Sequence, residues 1–396
     1  MKRMYIGLML LLGLVLAACS SDGQAEYYEP QHHPQARFLE DLDYLFHILE
    51  SNCPLLNSAE RALGIDVGEL MENMRQMTYN RRWTDQMFYA NLERHFFQHF
   101  RGFGHLSLFD VDWYYMHLWP DTPWGDVLDN PASREFYGSA PAWIGDSGGF
   151  DVVRQGNVRT ESIEEGRIAL ITINSFNHGN IEHDGEIVFP FLQSVAGYSH
   201  LIIDIRGNGG GSSGYFPIVL MQFLIDAPAT YSANFFIMDG EHIGLFHGEQ
   251  TGFAPVAAEV LAGLPYLHPD DVPLFTYHFH AESTIYPSED AVGFDGKIWL
   301  LVDGRNFSAA DFAAVVTRQT GFATIVGEPT GGAGIGWQPI VFALPNTGIA
   351  GRFQGVYSTD HLGRNGYEFV TQPDIFNREN MSALTTVLAL IEEGGY

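Results

Sequence analysis

Residues 298–312 read Ile-Trp-Leu-Leu-Val-Asp-Gly-Arg-Asn-Phe-Ser-Ala-Ala-Asp-Phe. Five apolar residues in succession describe a buried strand, Asp303-Gly304 marks a turn, and the alanine-rich run that follows predicts a helix over 308–320. Ser308 stands at the start of that helix, where its hydroxyl is accessible and the following amides and helix dipole face any negative charge beside it. An acyl-transfer nucleophile needs both features. The same residues also fit plain N-capping, since Asp311 follows the serine by three positions.

A second segment repeats the pattern. Leu201-Ile202-Ile203-Asp204-Ile205 is another buried strand, running into Arg206-Gly207-Asn208-Gly209-Gly210-Gly211. So glycine-rich a loop lets backbone amides approach a ligand closely. It lacks the Lys-Ser/Thr of a P-loop and the spacing of a dinucleotide fingerprint, so an oxyanion-binding loop is the stronger reading. Around these two segments strands and helices alternate: strand 168–173, helix 186–198, strand 201–205, helix 213–225, an irregular stretch, strand 298–302, helix 308–320 and strand 323–326. That rhythm predicts an α/β layered core with parallel pairing over residues 166–396. Upstream, Phe38, Leu42, Leu45 and Leu49 fall at helical spacing over 36–51. A second helix is expected near 67–78, and a third from an N-cap at Thr84 to Phe100. Arg101 to Gly104 stops the third helix, and His105–Leu108 alternates like a strand. Residues 36–110 therefore form an N-terminal helical subdomain. Residues 111–165, rich in Trp, Pro, Gly and Asp, read as connecting loops and short strands.

Composition narrows the partners. The chain has 396 residues and carries 48 Asp plus Glu against 20 Lys plus Arg, a formal charge of −28. Such a surface repels phosphate backbones, so nucleic acid is excluded as a partner. At the N-terminus Lys2 and Arg3 precede the apolar run Ile6–Leu16, too short to span a bilayer, and then Leu16-Ala17-Ala18-Cys19. This end resembles the lipobox of bacterial lipoproteins. The resemblance implies a signal peptide over 1–18, lipidation of Cys19, and a tether over 19–35 holding the body to a membrane in the cell envelope. Cys53 is the other cysteine, so a disulfide framework is ruled out; its helix-ending context without a charged activator marks it as structural.

The strings Asp-Ile-Arg-Gly-Asn-Gly-Gly-Gly (204–211) and Phe-Ser-Ala-Ala-Asp-Phe (307–312) resemble paired signatures of the C-terminal processing, or tail-specific, serine peptidases. Ala169–Phe176, Val326–Gly332, Gln372–Ile375 and Phe103–Leu108 fall in matching order. The resemblance implies a crotonase/ClpP-like α/β catalytic core with an N-terminal helical subdomain, and a peptide or protein substrate. It implies Ser308 as nucleophile, with an oxyanion hole formed by the Ala309 amide and a glycine amide at Gly209 or Gly210. Neither metal nor organic cofactor is implied.

Two departures shape the expected mechanism. Many members pair the serine with a lysine in a Gly-Glu-x-Thr-x-Gly-Lys string, but Ala333 occupies that place here. Lys297, the only lysine after residue 18, lies at the far end of the strand leading to Ser308. The chain is similar instead to the tricorn-like branch, which implies His105 as general base and a late carboxylate, matched by Glu368, orienting the imidazole. Gly104 stands where that branch has a serine. The peptide-binding PDZ module common in tail-specific members has no room between Phe109 and Arg167. Other histidines read as structural: His95 and His99 sit one turn apart among phenylalanines without a metal-site string, and His278 and His280 belong to the surface or an interface. Asp204, Asp311 and Asp374 are expected to pair with arginines or cap. The competing reading is a non-catalytic peptide- or ligand-binding surface lipoprotein that keeps the peptidase fold, in which Ser308 is unreactive.

Overall fold

A computed structural model of the chain describes residues 34–142, 153–247 and 252–394. The signal peptide, Cys19 and nearly all of the tether lie outside the described residues.

The core is a six-stranded sheet in the order Ile375–Phe376, Thr324–Gly327, Lys297–Val302, His200–Asp204, Ile168–Ile173, Val158–Glu164. All neighbours pair in parallel except the edge strand Val158–Glu164, which runs antiparallel to Ile168–Ile173. Successive side chains leave a strand on opposite faces, and the core divides accordingly. Ala169, Ile171, Ile203, Leu300 and Val302 pack with Val188, Leu192 and Leu220 from one helical layer and with the alanines of helix Ala309–Thr320. Ile168, Leu170, Ile202, Trp299 and Leu301 pack on the other face beneath helix Ala383–Glu392. A sheet covered on both faces needs the continuous apolar runs seen at 201–205 and 298–302. Ala309, Ala310, Ala313 and Ala314 are all buried, so small side chains bring the helix after Ser308 close to the sheet.

The helical N-terminal part agrees with its predicted elements: Gln35–Asn52, Val67–Tyr79, and a run from Asp85 to Phe100 that passes through a π turn at Glu93–Phe97. Thr84 caps that run, its hydroxyl accepting from the Met87 amide. A further helix, Leu56–Leu63, is present. Cys53 is buried, and burial pushes its thiol up to about 12, which suits a structural residue.

Two regions differ from expectation. Between 111 and 142, in place of loops and short strands, lie three short helices, Val111–His117, Pro123–Leu128 and Pro131–Tyr137, each capped by a side chain. The stretch between 226 and 297, read as irregular, contains two nine-residue strands, Ala229–Ile237 and Tyr277–Ile285. They pair along their whole length, flanked by Tyr357–Asp360 and Ala254–Pro255, in a four-stranded antiparallel sheet. A third sheet joins Ser107–Leu108, Ala350–Phe353 and Ile340–Ala343. His105 itself lies in a tight turn before this strand, not within it. These two smaller sheets and the helical part share one apolar cluster, which seats the turn of His105 against the core.

Candidate active site

The loops after the two apolar strands are laced together. The Asn306 side chain donates to the carbonyls of Ile205 and Asn208, and the Asp303 carboxylate accepts from the Gly207 amide at 3.0 Å. Phe307 and Gly332 form an isolated parallel bridge, and the Ser308 amide donates to the Gly332 carbonyl at 3.0 Å. Asp311, fully buried, fastens the glycine string from behind: it accepts from the Thr330 hydroxyl at 2.6 Å and the Gly334 amide at 2.7 Å. Asp204 pairs with Arg206, and Asp374 accepts from the Ile325 amide beside Arg318. Asp204 and Asp374 thus meet arginines, as expected, whereas Asp311 serves structure through Thr330 and Gly334 instead.

Ser308 is held at φ 56°, ψ −124°, and its side chain makes no capping bond. The N-cap reading therefore does not explain it. A non-glycine residue in this region costs about 1–3 kcal/mol, and such strain concentrates at functional sites. Six non-glycine residues among those described have positive φ, and three of them, His105, Ser308 and Ala333, line one cavity of about 650 Å³.

His105 enters this cavity with its ring 5.1 Å from that of Phe307. Its Nδ1 lies 2.6 Å from the Tyr367 hydroxyl, which leaves Nε2 as the ring nitrogen available to a reacting group. Burial, and then the positive charge of Arg352, push the imidazole far below its ordinary range, to about 3. It is neutral at physiological pH, the state in which a base can accept a proton. Arg352 lies 4.4 Å from the centroid of Trp113 and forms no ion pair with any described residue. No hydrogen bond joins Ser308 to His105 among the described residues; such bonds often close only around substrate.

Glu368 is not beside His105. Its carboxylate takes two hydrogen bonds of 2.9 Å from Arg61, which also binds the fully buried Asp271. Adjacent residues in this turn point apart, so it is Tyr367, one position earlier, that contacts His105 Nδ1, where Glu368 was expected. The two glycines expected at the oxyanion hole are placed as follows. Gly210 donates its amide to Asn208 Oδ1 at 2.9 Å, and Gly209 is exposed and does not line the cavity. Gly211 does line it, as do Ser308 and Ala309, and neither the Gly211 nor the Ala309 amide is engaged by a described residue. Gly210 still matters by having no side chain: at φ 104°, a Cβ there would lie 2.6 Å from the Phe307 carbonyl and 3.0 Å from both the Ala309 nitrogen and Ser308 Cβ. Ala333, where a lysine would stand, is buried against the same cavity.

His278 and His280 both contact Asn234 Oδ1, at 3.0 and 3.1 Å, and His280 reaches the cavity edge. His95 and His99 line a separate depression on the helical part. No group of three His, Cys, Asp or Glu residues able to hold a metal ion occurs among the described residues. Sequence reasoning missed Tyr367, Gly211 and the cavity's aromatic walls, all of which depend on pairings distant in the chain.

Among the solved structures that match, two are similar over most of both chains. One, a protein described as a peptidase from Parabacteroides merdae ATCC 43184, is 16% identical with a TM-score of 0.57; the match covers 89% of this chain and 96% of that one. Mature CPAF is likewise 16% identical, with a TM-score of 0.54, covering 86% of this chain and 92% of its own. No curated protein sequence matches. The model of peptidase family S41 matches residues 167–375, a span that contains both glycine loops and Ser308 and exceeds half the chain, so this protein is a member of peptidase family S41.

Proposed function

We propose that the protein is a serine-type endopeptidase that cleaves peptide bonds through an acyl-enzyme on Ser308, with His105 as base and Tyr367 as its orienting partner. The observation that carries this reading is the strained Ser308, with unengaged amides at Ala309 and Gly211, facing one cavity with a neutral histidine. Ser308 Oγ attacks the carbonyl carbon while its proton passes to His105 Nε2. The tetrahedral oxygen is held by the Ala309 and Gly211 amides, each such donor contributing about 10²–10³ in rate. The imidazolium then gives its proton to the leaving amine, and water, activated by the same nitrogen, releases the acyl group. Because His105 is desolvated, the imidazolium depends on the Tyr367 oxygen and the developing oxyanion for stabilisation. A strained serine, unengaged amides and a neutral histidine gathered at one cavity favour catalysis over a binding lipoprotein, which needs no such combination. Lipid anchoring through Cys19 to the cell envelope belongs to the same proposal and rests on the N-terminal residues.

The test is labelling of residues 20–396 with a fluorophosphonate, alongside Ser308→Ala and His105→Ala. Labelling lost in both variants is the expected result. A folded wild-type protein that does not label would overturn the proposal.

A further inference from the structure

Two facing alanines are among the residues lining the cavity beside Ser308. In the antiparallel pair Ala229–Ile237 and Tyr277–Ile285, Ala233 lies directly opposite Ala281. On the rungs either side, Tyr231 faces Ser283 and Phe235 faces Phe279. Alternation puts residues 231, 233 and 235 on one face with 279, 281 and 283, and all six line the cavity. The smallest rung therefore sits between larger ones. On one side Phe235 and Phe279 stand against Trp337, with ring centroids at 5.2 and 5.9 Å. Those rings touch one another and leave no slot between them, so they form a wall. On the other side Tyr231 meets Phe312 edge-on at 5.4 Å. Phe312 is one helical turn beyond Ser308, and Val315, about one further turn along, also lines the cavity.

We propose that Ala233 and Ala281 set the depth of a side-chain well that selects peptides with a large apolar residue, such as leucine or phenylalanine, on the acyl side of the cleaved bond. This rests on the serine-peptidase reading of the same site. The shared cavity suggests the position: Ser308, Ala309, Ala233 and Ala281 line it together, so the residue whose carbonyl carbon is on Ser308 is the one assigned to the well. The chemistry specifies the class. No lysine or arginine lines the cavity and its one carboxylate, Glu282, is exposed, so a charged side chain would lose hydration in an apolar well. In such a pocket each methylene is worth roughly tenfold or more in discrimination.

The experiment uses two series of internally quenched peptides, one varied between Ala, Leu, Phe and Lys before the cleaved bond and the other varied after it. Wild-type kcat/KM is expected to favour Leu and Phe over Ala and Lys by at least about tenfold in the first series. Ala281→Phe fills the well and is expected to lower the Phe-to-Ala ratio by at least about tenfold, with cooperative thermal unfolding as the check that it folds. Ala281→Leu, a smaller insertion, should move the ratio the same way. Cleavage without preference, a preference for Lys, selectivity confined to the second series, or a ratio unmoved in both folded variants would each overturn the well while leaving the peptidase reading intact. A wild-type protein that neither labels at Ser308 nor cleaves any peptide overturns both.

Discussion

Replacing Tyr367 by phenylalanine removes one oxygen and little else. The ring keeps its neighbours, Phe103 at 5.0 Å and Phe307 at 6.4 Å between centroids. What is lost is the 2.6 Å contact with His105 Nδ1. That nitrogen must carry a proton if Nε2 is to accept one from Ser308, and without the tyrosine oxygen the N–H is left in an apolar surround. An unpaired buried donor costs about 1–3 kcal/mol. The cost grows when the ring becomes cationic, so it falls mainly on the transition state. At 1.36 kcal/mol per factor of ten, the rate should drop about 5- to 150-fold. The assay is the second-order rate of fluorophosphonate labelling, measured beside Glu368→Gln. Glu368 is bound to Arg61 and does not touch the imidazole, so that variant should label within about threefold of wild type, though with a lower melting temperature. Labelling of Tyr367→Phe at the wild-type rate, or a greater loss in Glu368→Gln, would refute the assignment.

Three further outcomes follow from the geometry. Gly210→Ala places a methyl 2.6 Å from the Phe307 carbonyl at φ 104°, so it should cost at least about 100-fold in labelling while the chain stays folded; a loss below fivefold would contradict the contact. Arg61→Ala strands the buried Asp271 carboxylate and should destabilise by about 3 kcal/mol in denaturant titrations, against under 1 if the network were a surface one. His105, His117 and His247 are held by burial at about 3, 4 and 4, so between those values and about 6.5 the unfolded chain binds protons that the folded chain refuses. Their contribution to stability is therefore lost as pH falls through this window. Melting temperature should decline from pH 7 to 5 and decline less in His247→Phe; a flat profile would mean these rings protonate without unfolding.

Much of the candidate site was readable because it is local. Ser308, Ala309 and the glycine loop each follow a short apolar strand, and a strand running into a turn is legible within about ten residues. His105 was found through its flanking string. Its partner was not, because neighbouring turn residues point opposite ways and only the folded loop decides whether 367 or 368 faces the ring. The strand Ala229–Ile237 escaped notice because its rung partner lies some forty residues on, and its facing side mixes Tyr231, Ala233 and Phe235 without uniform hydrophobicity. The helices Val111–His117, Pro123–Leu128 and Pro131–Tyr137 are too short to show a period. Two of them carry a signal that periodicity does not need: Thr122-Pro123 and Asn130-Pro131, a capping side chain followed by proline at the first helical position. In the glycine loop the sequence shows which residues could approach a ligand, but not which amide Asn208 uses up.

The cavity draws on residues 105, 211, 231–235, 279–283, 308–315 and 333–339. The turn that carries His105 is fastened by a 2.6 Å bond from the Gln354 amide to the Gly104 carbonyl, spanning most of the chain. Contacts so distant close only once the loop entropy between them has been overcome. Until then Ser308 is chemically an ordinary serine. On the proposed mechanism reactivity thus comes with a clock: a newly made chain would not cut its siblings while they are still open and vulnerable, and a copy that unravels would disarm itself as it becomes something to be cut.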